Sequence, residues 1–385
     1  MKRNIILINC AAALLWMGMY SYVPTLPAFA TSLGATAVML GVIGGAYGVM
    51  QILLRIPLGI VSDKSGKDKL LLIIGFVILT VSAVLFLFAN TVETVIFARG
   101  VAGAAAAWWV IISASYAKYN DEAKQVKAQG ILNASSNLGK VLASLFGGLA
   151  AQFFGLRAPF YVALLSAIIG LVTMFFFKTS KAPEKRTPPT LKELLSLLKN
   201  KDLMIISVLC IFAQLICFAV PTYFTSVAAE NIGADPGQLG SLTLVYFLTA
   251  GVISLFVGTR FYQKIGGIKV VVIAFSLCAF SCIPVFYHMN LTVIYIMQVI
   301  SGVGYGTLTS ALAGFVIKAV APHQRSTATG IFQSVYAIGI FIGPMIAGGV
   351  IQTASFDAAY LVIGAITAAA AIASGVLIPK KYGKM

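Results

Sequence analysis

This chain has very little charge. Only 10% of its 385 residues are Asp, Glu, Lys or Arg, against about a quarter in an ordinary soluble domain. Hydrophobic residues make up 59%, with a mean hydropathy of +0.96, and a water-soluble fold is excluded. Acidic residues are scarcest, numbering 11: Asp63, Asp68, Glu93, Asp121, Glu122, Glu184, Glu193, Asp202, Glu230, Asp235 and Asp357. None sits in the middle of an apolar run. The two histidines, His288 and His323, lie far apart in no ligand-like cluster, so no metal is expected. All five cysteines (Cys10, Cys210, Cys217, Cys278 and Cys282) fall within apolar runs, which argues against a disulfide framework. Cys278 and Cys282 share a helix face and read as small packing residues. No G-x-x-x-x-G-K-[ST] motif occurs, and no loop gathers a nucleophile, base and acid. An ATP-driven pump and a membrane enzyme are therefore disfavoured, and no cofactor is expected.

What the chain does have is length of apolar sequence. Twelve stretches are each long enough to cross a hydrocarbon core about 30 Å thick at about 1.5 Å per residue. They run over 5–27, 37–61, 69–89, 94–116, 126–152, 159–177, 203–227, 237–259, 269–287, 292–317, 326–353 and 358–378. They must be helices, because backbone facing lipid has no water to bond and the alternation of barrel strands is missing. Lys2 and Arg3 before an apolar run imitate a secretory signal, but the run is too long and eleven further spans follow. With both termini inside, 23 of the 27 basic residues lie on the cytoplasmic side, and only Arg157 lies outside. Arg55, Arg99 and Lys140 are embedded. The net charge of +16 thus orients a multi-pass protein of the cell membrane whose partner is the lipid bilayer, and a nucleic-acid partner is not expected.

The charged, proline-bearing segment from Lys178 to Asp202 separates six spans from six. Within it, Thr190 and Glu193 form a capping-box pattern ahead of an amphipathic stretch ending at Leu198. The expected domains are a six-helix bundle over 1–178, a cytoplasmic linker over 179–202 and a second bundle over 203–385. The halves repeat. Gly130, Gly139, Ala143, Ser144, Gly147 and Gly148 stand 200 residues before Gly330, Gly339, Gly343, Pro344, Ala347 and Gly348, and Gln152 matches Gln352 at the same offset. Two halves repeated in one orientation are the architecture of a rocking transporter with its site between them. The fold expected is all-α, two pseudo-symmetric bundles with twelve transmembrane helices.

Between the second and third spans lies Gly59-Ile-Val-Ser-Asp63-Lys64-Ser-Gly66-Lys67-Asp68-Lys69. This resembles the G-x-x-x-D-[RK]-x-G-[RK]-[RK] loop of the major facilitator superfamily, departing from it at Asp68. The resemblance implies a conformational latch built from Gly59, Asp63, Lys64, Gly66 and Lys67, with the Asp63 carboxylate reaching the start of the eleventh helix. Gly59 would let helices approach, and the lysines would hold the loop to anionic headgroups. The fifth span is similar to the glycine pattern of the superfamily's drug:proton antiporters through Gly130, Gly139, Gly147 and Gly148, without the central Gly-Pro. Arg99-Gly-Val-Ala-Gly103 resembles the family's R-x-x-x-G, whose arginine is linked to proton coupling. Gly139, Gly147, Gly148, Gly339, Gly343 and Pro344 are expected to serve packing and gating, with Arg55 beside them.

Lys140 is the leading site candidate, midway along the fifth span on one face with Asn133, Ser136, Asn137 and Ser144. An embedded lysine there implies a wet cavity or a partner. Further lining is expected from Trp16, Tyr20, Tyr47, Gln51 and Trp108 in the first half, and Gln214, Tyr246, Tyr305, Gln333 and Tyr336 in the second. With Arg99 and Lys140 in place of an embedded acid, the cavity should prefer anionic or zwitterionic small organic substrates. Proton coupling, if present, would be seated on Lys140. Three functions are consistent with this: proton-coupled efflux, organic-anion uptake or exchange without an obligatory proton, and a transporter-like receptor or sensor. A monomer is expected.

Overall fold

In the computed structural model, the described residues are 2–65, 67–119, 125–178, 196–257, 260–321 and 324–383. Among them the chain is helical and contains no strand. Twelve spans follow one another. In the first half they are Lys2–Tyr20 continued by Leu26–Ser32, then Ala37–Ser65, Asp68–Leu87, Val92–Ala107 with Trp109–Lys118, Gln125–Phe154, and Ala158–Phe175. In the second they are Lys201–Ala219 continued by Thr225–Asn231, then Pro236–Phe256, Gly267–Phe280, Leu291–Ala319, Arg325–Thr353, and Phe356–Leu377. Ten helical segments are long and apolar enough to cross a membrane. The fifth is long enough at 30 residues but carries the polar stripe around Lys140. The ninth has only 14 residues.

Four spans differ from a single unbroken helix, the fourth span at Trp108 and the other three at a proline. The first ends at Tyr20, turns through Ser21–Thr25 around Pro24, and resumes at Leu26. The seventh passes through a π-helical turn, Val220–Phe224, around Pro221. The ninth, expected to run over 269–287, ends at Phe280 and turns ahead of Pro284 into the short helix Phe286–Met289. In these three cases proline withholds a backbone donor and crowds the preceding turn.

Lipid tails are as apolar as leucine, so these helices are held by close packing. The packing repeats with a shift of six spans. The first packs on the fifth as the seventh does on the eleventh. The second pairs with the fourth and the eighth with the tenth, while the third pairs with the sixth and the ninth with the twelfth. The glycine series explains why. A Cβ on Gly139 would strike the Ala13 carbonyl of the first span, and one on Gly339 the Ile211 carbonyl of the seventh. Gly147 and Gly343 meet the carbonyls of Ser21 and Leu215. The halves join at two seams, the second span on the eleventh and the fifth on the eighth. A Cβ on Gly148 would lie 2.8 Å from Gly240 Cα, and one on Gly348 would lie 3.1 Å from Gly41 Cα. Pro344 fits against Gly44, where a Cβ would come within 2.6 Å of its own.

Both chain ends belong to one face. There Arg3 donates to the Phe176 carbonyl (2.7 Å) and the Tyr382 hydroxyl donates to Asp202 (3.1 Å). The halves also meet at the opposite face, where Leu26–Ser32 packs on Thr225–Asn231 and Gln152 Oε1 accepts from the Gly237 amide at 2.8 Å.

The linker expected over 179–202 lies outside the described residues from 179 to 195. Its described end is ordered by Asn200, which accepts from the Leu203 amide (3.1 Å) and donates to the Ala319 carbonyl (3.0 Å).

Candidate functional site

Lys140 sits where the fifth span passes between the first and the eighth. Its ammonium lies 4.3 Å from the centre of the Trp16 ring, 5.4 Å from that of Phe247 and 5.5 Å from that of Tyr20. Trp16 also meets Trp109 edge-on at 5.6 Å, and Tyr20 meets Phe247 at 5.2 Å. The site therefore spans the two halves, with the ammonium and most rings from the first and Phe247 from the second. A lysine at this depth costs about 2.5–3.5 kcal/mol, and desolvated cation–π contacts return about 2 kcal/mol or more. Rings cannot accept a hydrogen bond as an oxygen does, and among the described residues Nζ faces these rings and the Cys217 thiol. The Trp16 indole N–H, in contact with the ammonium's aromatic cage, is buried with no acceptor. Such donors suit a carboxylate.

The second half supplies a more polar wall. Tyr246 stacks on Tyr305 at 5.7 Å, the Tyr305 hydroxyl donates to Gln214 Oε1 (3.2 Å), and the Tyr246 hydroxyl donates to Cys217 Sγ (3.1 Å). On the fifth span, Ser144 donates to the Lys140 carbonyl (3.0 Å) and Ser136 to that of Asn133 (2.7 Å). Asn133 is exposed, and Asn137 is half-buried near Gly251. Nearer the terminal face, Ser135 donates to Asn9, whose amide donates to the Tyr116 hydroxyl (3.1 Å).

Arg99 occupies a separate, fully buried cluster. Its guanidinium lies 4.1 Å from the centre of the Tyr47 ring and 5.8 Å from that of Tyr22, and Nη1 donates to the Tyr22 hydroxyl at 3.4 Å. Gly103, one turn on, packs against the Tyr47 main chain so closely that a Cβ would collide with it. The R-x-x-x-G spacing thus brings the arginine and the glycine onto the same tyrosine. Burying a guanidinium costs several kcal/mol, and among the described residues no carboxylate faces this one. Its Nε and Nη2 have no hydrogen-bond partner.

Arg55 clasps the halves together. It is 2% exposed; Nη1 donates to the Gln333 carbonyl of the eleventh span at 2.7 Å, Nη2 donates to Gln51, and the guanidinium lies 5.1 Å from the centre of the Tyr336 ring.

Of the expected cavity residues, Trp16, Tyr20 and Lys140 come together, whereas Gln333 and Tyr336 attend Arg55. Trp108 is not in the cavity. It falls between the two helices of the fourth span, its indole donates to the Leu71 carbonyl (2.7 Å), and its ring fills the space beside Gly75. Its neighbour Trp109 takes the expected place, since adjacent helical residues point about 100° apart. Phe247, Tyr22 and Tyr223 are further additions, and nothing in their spacing marks them out. Of the latch, Gly66 lies outside the described residues, as do the side chains of Asp63 and Lys64. A methyl group on Gly59 would make an ordinary 3.7 Å contact with Val110, so close helix approach is not what requires glycine there. Lys67 precedes the third span, and Asp68 occupies its first turn, where the helix dipole favours an acid.

The decisive comparison covers the whole chain: the family model described as Major Facilitator Superfamily matches residues 8–228 and again 208–385. The chain belongs to the major facilitator superfamily. Its relatives within the superfamily include an uncharacterised MFS-type transporter of Methanocaldococcus jannaschii, 24% identical over 95% of this chain and 98% of that one. Another is the quinolone resistance protein NorA of Staphylococcus aureus, 23% identical over 99% and 98%. Among solved structures, the nucleoside transporter NupG shares the superfamily fold with a TM-score of 0.75 at 16% identity, covering 97% of this chain and 98% of that chain. This is a multi-pass membrane transporter and not an enzyme.

Proposed function

We propose that this transporter moves a small anionic or zwitterionic organic solute by alternating access, with Lys140 receiving the substrate's acidic group and efflux driven by protons. Both termini face the cytoplasm, the first six spans and the last six act as the two rocking domains, and the molecule works as a monomer. One observation carries the reading: an embedded ammonium at the junction of the halves, enclosed by rings and facing no acid. A carboxylate would give that ammonium the charge-assisted hydrogen bond the rings cannot, and Trp16, Tyr20 and Phe247 would pack against the rest of the solute. The export direction is supported by the similarity to a quinolone resistance protein.

The scarcity of acid supports a second reading, organic-anion exchange without an obligatory proton. Among the described residues the only buried acid is Asp68, at a helix end. Counterflow in proteoliposomes separates the two. Efflux coupled to protons requires accumulation that rises with an imposed pH gradient, and exchange that ignores the gradient would remove it. No counterflow for any solute that binds would overturn both and leave a receptor.

A further inference from the structure

The charge on Arg99 is unanswered inside the protein. Guanidinium does not deprotonate in proteins, and an intramembrane arginine ordinarily pairs with an acid or with backbone carbonyls. Here it touches the rings of Tyr22 and Tyr47 and one tyrosine hydroxyl. The arginine is completely buried, yet Nε and Nη2 reach no acceptor. From the other half of the molecule, the π-helical turn of the seventh span presents Tyr223, also completely buried. Its hydroxyl lies within reach of the guanidinium's charge and is buried with no well-formed hydrogen bond. Two N–H groups and one O–H group, all shielded from lipid and bulk water, are therefore left beside an uncompensated positive charge. Among the described residues, the charged or titratable groups that act on it are tyrosines.

We infer that Arg99 and Tyr223 form a binding site for a small monovalent inorganic anion, of which chloride is the one cells supply in quantity. A halide needs only donors, tolerates irregular coordination, and is small enough to lie against Nε, Nη2 and the Tyr223 hydroxyl. Arg99 comes from the first half and Tyr223 from the second, so an ion bound to both would tie the halves together. The inference goes beyond the organic-solute reading and does not depend on Lys140.

The test is thermal unfolding of the detergent-purified protein, with no organic solute present, as sodium chloride replaces sodium gluconate at constant ionic strength. A site of this kind gives a saturable rise in Tm of several degrees, reproduced by bromide but not by sulfate. Tyr223→Phe removes one oxygen and should raise the half-saturating chloride concentration about tenfold, as expected for losing a hydrogen bond to an ion. Arg99→Gln should abolish the response. If Arg99→Gln fails to fold, Tyr223→Phe decides alone. A Tm that follows ionic strength whatever the anion, one that does not respond at all, or a chloride response unchanged in Tyr223→Phe would overturn the inference.

Discussion

Lys140 and Arg99 are both embedded cations without acids, and their settings assign them different work. Lys140 is half-buried at the junction of the halves and touches rings from both; Arg99 is sealed within tyrosines. Lys140→Gln keeps the size of the side chain and removes the charge. It should weaken binding of an anionic substrate about tenfold or more, the scale of a lost charge-assisted bond, while Tm without substrate stays within a few degrees. Thermal-shift titration reads both numbers, and unchanged affinity would dismiss the assigned role. Lys140 was legible in the sequence because a lysine in an apolar run is conspicuous. The aromatic cage was not, because in a chain with 11% aromatic residues only tertiary packing decides which rings converge. Trp108 and Trp109 illustrate the limit: a difference of one residue sends one indole to the third span and the other to the site.

At the scale of elements, hydrophobic length located the spans, since crossing a bilayer sets a minimum run that few other constraints obscure, although among the described residues ten helical segments are long and apolar enough and the ninth stops at Phe280. The breaks were harder to see, because apolar residues continue through them. Yet Val-Pro-Thr occurs at 23–25 and again at 220–222, marking the places where the first and seventh spans bend before the short helices that meet across the opposite face. The glycine repeat was legible, and its physical meaning is equivalent main-chain contact in each half. Gly139→Val and Gly339→Val should consequently destabilise the protein by similar amounts, about 1–3 kcal/mol each as overpacking, read from resistance to SDS unfolding. Gly330→Val, with nothing within 4 Å of a Cβ, should cost far less. Unequal penalties for the first two would count against the equivalence of the halves.

For the whole molecule, the two seams consist chiefly of glycine against backbone, and movement of one half over the other breaks few specific bonds there. Arg55 to Gln333 on one seam and Gln152 to Gly237 on the other are cross-half hydrogen bonds. Arg55→Gln should loosen the terminal side of its seam. In a background with the native cysteines replaced by serine, a cysteine at buried Ser334 should then react several-fold faster with a thiol reagent, and an unchanged rate would show that Arg55 holds nothing shut. In both bonds the first half contributes a side chain and the second half a main-chain group. A hybrid joining residues 1–178 to the last six helices of a distant relative would retain the Arg55 clasp whatever amino acid it carried at 333, so long as its backbone followed the same path, whereas the Gln152 clasp also requires glycine at 237, where a Cβ would fall 2.3 Å from Gln152 Oε1. Recombination between such proteins can therefore exchange whole lobes with a single side-chain requirement across these two points, the absence of one at 237.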